Sequence, residues 1–238
     1  MAVLCNNVIA GASIADDAAG GGGAYQVEKS LRFNDNDSAY LRKDPKKEGN
    51  RRTYTFSAWI KLGHVGGERN IFTVSSNAGG SSGSAVRTEF AIGATPHLVF
   101  GLNSDGNTWK TVKTVTKLRD PSAWYHICVA VDTTNSIESE RVKIYINGEL
   151  QSLTGDYPVQ NNKTPYNSTD AHGLGTYINN IASFFDGYMA NVEWIDGLQL
   201  SPAAFGSFDS LGVWNPKAFA LQTPNDGTTW SDRVYTSN

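Results

Sequence analysis

Cysteine is nearly absent from this chain. Only Cys5 and Cys128 occur among 238 residues, and Cys128 sits inside an alternating apolar stretch, where a small buried hydrophobe is expected. Basic character is missing as well. Lys and Arg number 20 against 23 Asp and Glu, the net charge is -3, and no Lys/Arg run is interleaved with aromatics. Nothing here could follow a phosphate backbone, so nucleic acid is not an expected partner. No stretch approaches the ~20 consecutive apolar residues of a membrane span, and no basic segment precedes a continuous apolar run near the N-terminus. Neither membrane insertion nor a secretory leader is expected, and the sequons at Asn36, Asn162 and Asn167 then read as chance matches. His64, His97, His126 and His172 are scattered without metal-ligand spacing, and there is no Gly-x-Ser-x-Gly elbow. That argues against a zinc site and a nucleophile-elbow triad. A long amphipathic helix is absent too.

What remains is a β pattern. Hydrophobic residues make up 39% and charged residues 18%, enough for a core and too little charge for a disordered chain. In Trp124 to Asp132 and again in Arg141 to Ile146, apolar residues recur at every second position, the period of a strand with one buried face. Asn147-Gly148 supplies two residues tolerant of positive φ, so the chain should turn back through Glu149 to Leu153 as a meander. Similar runs predict strands at Thr53 to Leu62, Asn70 to Ser75, Ala85 to Gly93, His97 to Asn103, Trp109 to Thr116 and Phe184 to Ile195. Asp105-Gly106 should close a hairpin onto Trp109. Ser201-Pro202 through Gly206 reads as one short helical turn with a capping hydroxyl.

Many short strands with almost no helix indicate an all-β sandwich or barrel. The first 24 residues differ: Ala, Gly and Asn dominate and Gly20-Gly21-Gly22-Gly23 closes the segment, so an arm over residues 1–27 is expected to precede a β domain over 28–238. Gly79 to Ser84 reads as a flexible loop. Thr154 to Thr169, with Pro158 and Pro165, is long for an unstructured connection and is therefore a candidate functional loop.

Four blocks in this order, Thr53 to Lys61, Trp124 to Asp132, Arg141 to Gly148 and Phe185 to Gly197, resemble the concanavalin A-like jelly roll in its laminin G-like form. Two further pieces, Ser30 to Leu41 and Phe205 to Asp209 leading to Gly212 to Lys217, are similar to laminin G-like structural proteins of tailed phages of marine bacteria, cyanobacterial phages included. The resemblance covers roughly residues 28–220. It implies a jelly-roll β-sandwich and a virion protein, either a capsid decoration or a tail-fibre component. Residues 1–27 would attach it to other virion proteins, the subunit would be a homo-oligomer with a trimer expected, and host-surface glycans would be its ligands.

Catalysis is not expected. Glucanases on this scaffold set acidic residues at alternate positions of one strand, and that pattern is missing. A hydrolase or lyase, the alternative reading, would need two of Glu138, Glu140, Glu193 and Asp196 to converge; a free lectin is the third. Loop aromatics Trp109, Tyr157 and Tyr166 are the candidate carbohydrate contacts, because binding residues favour loops on a rigid scaffold. Trp59, His126, Tyr145 and Glu193, which fall opposite the apolar alternation, form a rival sugar-stacking face. No cofactor is expected beyond a calcium ion, for which Asp105, Asn107, Asp132 and Asp170 are the loop candidates.

Overall fold

The structure is a computed structural model and describes residues 4–5, 25–80 and 85–219. Its strands are β1 (Leu4–Cys5), β2 (Ser30–Phe33), β3 (Leu41–Lys43), β4 (Thr53–Leu62), β5 (Arg69–Ser75), β6 (Arg87–Ile92), β7 (His97–Asn103) and β8 (Lys110–Lys117). They continue with β9 (Trp124–Asp132), β10 (Val142–Ile146), β11 (Glu149–Leu150), β12 (Leu153–Gly155), β13 (Ala171–Leu174), β14 (Gly187–Asp196), β15 (Gly206–Phe208) and β16 (Trp214–Pro216). Two antiparallel sheets result, ordered β1-β2-β14-β4-β9-β10-β11 and β12-β8-β7-β6-β5-β13-β3, with β15-β16 as a separate pair. The expected jelly-roll β-sandwich is what forms.

Alternation dictates the packing. In the first sheet Phe56, Ala58, Ile60, Ile127, Val129 and Val131 face inward; from the second, Phe90, Leu98, Phe100 and Val112 meet them. The Phe56 ring lies 5.4 Å from Phe72 and 5.8 Å from Phe90, so the two sheets are joined by aromatic contacts at their centre. In β14 a register shift between Ala190 and Glu193, with Asn191 at φ 44°, inserts an extra residue opposite β4. It keeps Met189 and Trp194 on the core side.

The Asn147-Gly148 turn forms as expected, at φ 48° and 82°, joining β10 to β11. Gly148 also has no room for a side chain: a Cβ there would come within 2.4 Å of the Trp214 ring. The return strand, however, is shorter than its sequence predicts. It stops at Leu150, and after Gln151-Ser152 the chain crosses to the other sheet, where Leu153–Gly155 pairs with Thr114–Val112 of β8. The turn at 201–206 is a 3-10 turn over Pro202–Ala204, and Ser201 makes no capping bond through its side chain. Of the expected arm, residues 1–3 and 6–24 lie outside the described residues, as does loop segment 81–84. Leu4 and Cys5 pair with Leu31 and Ser30. Val27 is buried in a cluster with Trp59, Ala190 and Trp214, so the body begins slightly before residue 28.

Candidate functional site

The outward face of the second sheet carries the most distinctive grouping. Along β6, Arg87 and Glu89 alternate with inward Thr88 and Phe90, and register places Arg87 on one rung with Ser75 and Asn103, Glu89 on the next with Thr73 and Gly101. Gly101 lets Trp109, the residue just before β8, and Glu89 pack close to the backbone: a Cβ there would approach the indole to 3.0 Å and the Glu89 carboxyl to 2.9 Å. A glycine within a strand marks such a close approach.

A second wall comes from far away in sequence. Thr73 Oγ1 donates to the Thr176 carbonyl (2.7 Å) and accepts from the Ile178 amide (3.0 Å), while Ser75 Oγ donates to Asn179 Oδ1 (2.8 Å). These bonds fasten residues 176–179 onto β5 and hold the Tyr177 ring over the sheet. Between the walls lies Arg87, its guanidinium carbon 4.9 Å from the Trp109 ring centroid and 5.9 Å from that of Tyr177. Its Nε and Nη1 are buried with no hydrogen-bond partner, as are Asn103 Oδ1 on the same rung and Asn179 Nδ2 above it. Buried polar atoms are rarely left so, which sets this cluster apart from the rest of the sheet. Burial, reinforced by Glu68 and opposed by Arg87, pushes the Glu89 carboxyl up to about 7; burial likewise raises the Tyr177 phenol to about 12.

The three expected loop aromatics do not come together. Trp109 lies at this groove. Tyr166 is a core residue with 1% exposure, stacked on Phe72 at 5.0 Å, and its hydroxyl donates to the Phe72 carbonyl at 2.6 Å. The expectation that it contacts ligand from a loop is thereby corrected: the 154–169 connection folds inward, burying Thr164 and Ser168 too. Tyr157 is half-buried at the core's edge, where Glu138 and Glu140 are its charged neighbours. Sequence reasoning missed Arg87, Glu89 and Tyr177; Gly101 was the one local signal.

The rival face is closed. Trp59, His126, Tyr145 and Glu193 do share the outward side of the first sheet, but the segment after β14 covers it. Trp214 packs on His126 at 5.6 Å and Phe205 at 6.3 Å, leaving His126 0% and Trp59 4% exposed. Ser57 Oγ and His126 Nε2 lie 2.9 Å apart beneath this roof, yet His126 Nδ1 has no partner, so no triad is completed. Burial lowers the imidazole to about 4 and raises the Glu193 carboxyl to about 7.

Each carboxylate proposed for calcium serves its own turn: Asp105 Oδ1 accepts from the Asn107 and Thr108 amides, Asp132 Oδ1 from Thr134, Asp170 Oδ2 from Ser168. Among the described residues one other group has metal-ligand spacing, Asp35, His64 and Asp186, whose ligand atoms lie within 4.8 Å of one another. They follow β2, follow β4 and precede β14, three strands whose ends adjoin. The buried guanidinium of Arg69 contacts His64 and feels both carboxylates, so a cation is already in place.

A family profile described as the concanavalin A-like lectin/glucanases superfamily matches residues 33–203, well over half of the chain, and the protein belongs to this laminin G-type family. No curated protein matches it significantly. Solved structures do. The sialidase CBM40 module of Ruminococcus gnavus bound to α2,3-sialyllactose is 15% identical with a TM-score of 0.47, covering 64% of this chain and 90% of that one. Domain 4 of AbnA, a GH43 extracellular arabinanase from Geobacillus stearothermophilus, in complex with arabinotriose, gives 19%, 0.48, 85% and 84%. Tailspike protein 2 of Escherichia coli O157:H7 bacteriophage CAB120 gives 15%, 0.48, 75% and 24%. Family membership rests on the sequence profile rather than on these.

Proposed function

We propose that this protein is a non-catalytic carbohydrate receptor that binds glycan on the outward face of its second sheet. The observation that carries this reading is the pair of aromatic walls, Trp109 and Tyr177, with Arg87 between them and a rung of unpaired polar atoms around it. Aromatic faces suit the apolar side of a sugar ring, and amide and guanidinium groups suit its hydroxyls. Membership of a superfamily of lectins and glucanases supports the ligand class. Binding is favoured over hydrolysis because two of the four candidate carboxylates are engaged separately: Glu140 pairs with Lys143 at 2.5 Å, and Asp196 Oδ1 accepts from the Asn50 amide and Asn167 Nδ2.

On a glycan array, Trp109→Ala and Tyr177→Ala should each weaken binding by roughly tenfold or more, the scale of one lost stacking contact. Tyr157→Ala should leave it unchanged. Parent-like binding by both groove variants would remove the groove from consideration.

One observation favours a second reading. Glu89 titrates near 7 with Glu68 as a neighbouring carboxylate, the environment of a general acid in glycoside hydrolysis. Release of reducing ends from a bound polysaccharide, abolished in Glu89→Gln, would establish it.

We further infer that the domain is displayed on a phage particle, as a capsid decoration or tail-fibre component, with residues 1–27 attaching it to other virion proteins and a trimer as its assembly. The glycine-rich leader and the likeness of Ser30 to Leu41 and Gly212 to Lys217 to phage laminin G-like proteins support this setting. Repetition on a particle would turn weak sugar contacts into avidity. Immunogold labelling of purified particles tests the location, and light scattering the copy number.

A further inference from the structure

We propose that the groove selects glycans bearing negative charge, a carboxylate or a sulfate ester, by presenting Arg87 as its anchor. This rests on the groove being the glycan site. Arg87 makes no salt bridge in the structure: the ion pairs formed among the described residues are Arg42–Asp44, Arg51–Glu48, His64–Asp186 and Lys143–Glu140. The Trp109 and Tyr177 rings flank the guanidinium and leave its charge without a carboxylate partner. Nε and Nη1 are buried and sealed from solvent, so packing anchors the side chain, and Nη2 is the group left to meet a ligand. A neutral sugar satisfies such donors, but an anion gains roughly twice as much from each bond.

The neighbouring charges determine how the pocket responds to pH. Glu89 faces Arg87 along β6, Glu68 from the connection before β5, the Tyr177 phenol from the loop above and the Tyr166 phenol from the core below. Glu68 is exposed and screened by water. Glu89 is the carboxylate that would oppose an incoming anion. It is about half protonated near neutrality, so binding of an anion draws a further proton onto it and affinity rises as pH falls from 8 to 6. A neutral glycan has no such linkage.

The test measures binding of the whole chain to polygalacturonate (carboxylate), dextran sulfate (sulfate) and laminarin (neutral) at constant ionic strength. At least one of the polyanions should bind at least about tenfold tighter than laminarin, a margin equal to one charge-assisted hydrogen bond. Arg87→Gln should erase that margin, weakening polyanion binding by more than laminarin binding, Arg87→Lys should keep part of it, and Glu89→Gln should tighten polyanion binding at pH 8 and flatten its pH dependence. Which polyanion prevails identifies the source of charge. Equal binding of all three that is lost in Trp109→Ala would overturn the anionic preference and keep the glycan site. Polyanion binding that survives both Arg87→Gln and Trp109→Ala would place it elsewhere on the surface, and binding of none would remove both readings.

Discussion

Tyr166→Ala should cost about 3–5 kcal/mol of stability, the usual range for truncating a buried aromatic side chain. At 1% exposure the ring fills the space between Phe72, Tyr54 and Trp194, with centroids at 5.0, 5.4 and 5.1 Å, and its removal also strands the Phe72 carbonyl. For a domain of this size that is a melting temperature lower by roughly 10 °C. Trp109→Ala should cost less than half as much, since Trp109 is half-buried and its ring packs on Arg87 and Gly101 outside the core. The two aromatics look alike in sequence, each in a polar loop. Thermal melts of both variants, read beside their glycan binding, separate a core residue from a ligand contact. A Tyr166 variant that melts like the parent would contradict its placement in the core.

Acidification from pH 6.5 to 4 should act on stability through two opposed sets of buried groups. His126 and His172 are 0% and 8% exposed, and burial lowers both imidazoles to about 4. Through that window the unfolded chain binds protons that the folded chain refuses, so stability falls as pH falls, by about 3 kcal/mol per imidazole at the acid end. Glu89 and Glu193 act in the other direction. Their carboxyls are raised to about 7, so the folded state keeps protons that the unfolded chain gives up above ~4.5, and stability drops as pH rises towards 7. The two pairs of shifts are similar in size and opposite in sign, so the parent shows only their difference and single variants are needed to expose each part. Denaturant titrations across pH 4 to 8 measure the balance. Replacing His126 by Asn should flatten the acid side, whereas Glu193→Gln should raise stability at pH 8 and change little at pH 4.5. An acid limb that the His126 replacement leaves unchanged would contradict the buried neutral imidazole.

The strands were legible wherever apolar side chains recur at every second position. Thr53–Leu62, His97–Asn103 and Trp124–Asp132 match the alternation residue for residue, and Asn147-Gly148 turns where its backbone freedom requires. Even the shared face of Trp59, His126, Tyr145 and Glu193 followed from parity. Its accessibility did not, because a period of two tells which side a residue takes and nothing about what later covers that side. Ala171–Leu174 and Trp214–Pro216 are short strands with no alternation long enough to read, and the latter belongs to the roof. Half of the groove was hidden for a related reason. Arg87 meets Trp109 because β6, β7 and β8 are neighbours in register, and Tyr177 joins them through hydroxyls on β5 about a hundred positions earlier, at Thr73 and Ser75. Neither relation leaves a local trace in composition. Trp109 could be proposed because a tryptophan after Asp105-Gly106 is conspicuous; Tyr166, equally conspicuous, was misjudged because a loop's inward collapse is decided by the cavity it fills.

Val27 and Trp214 meet in one cluster on the outer side of the first sheet. The chain therefore enters and leaves the sandwich at its back, while Trp109 and Tyr177 stand at its front. The thickness of two sheets separates that cluster from Arg87 and the aromatic rings that flank it.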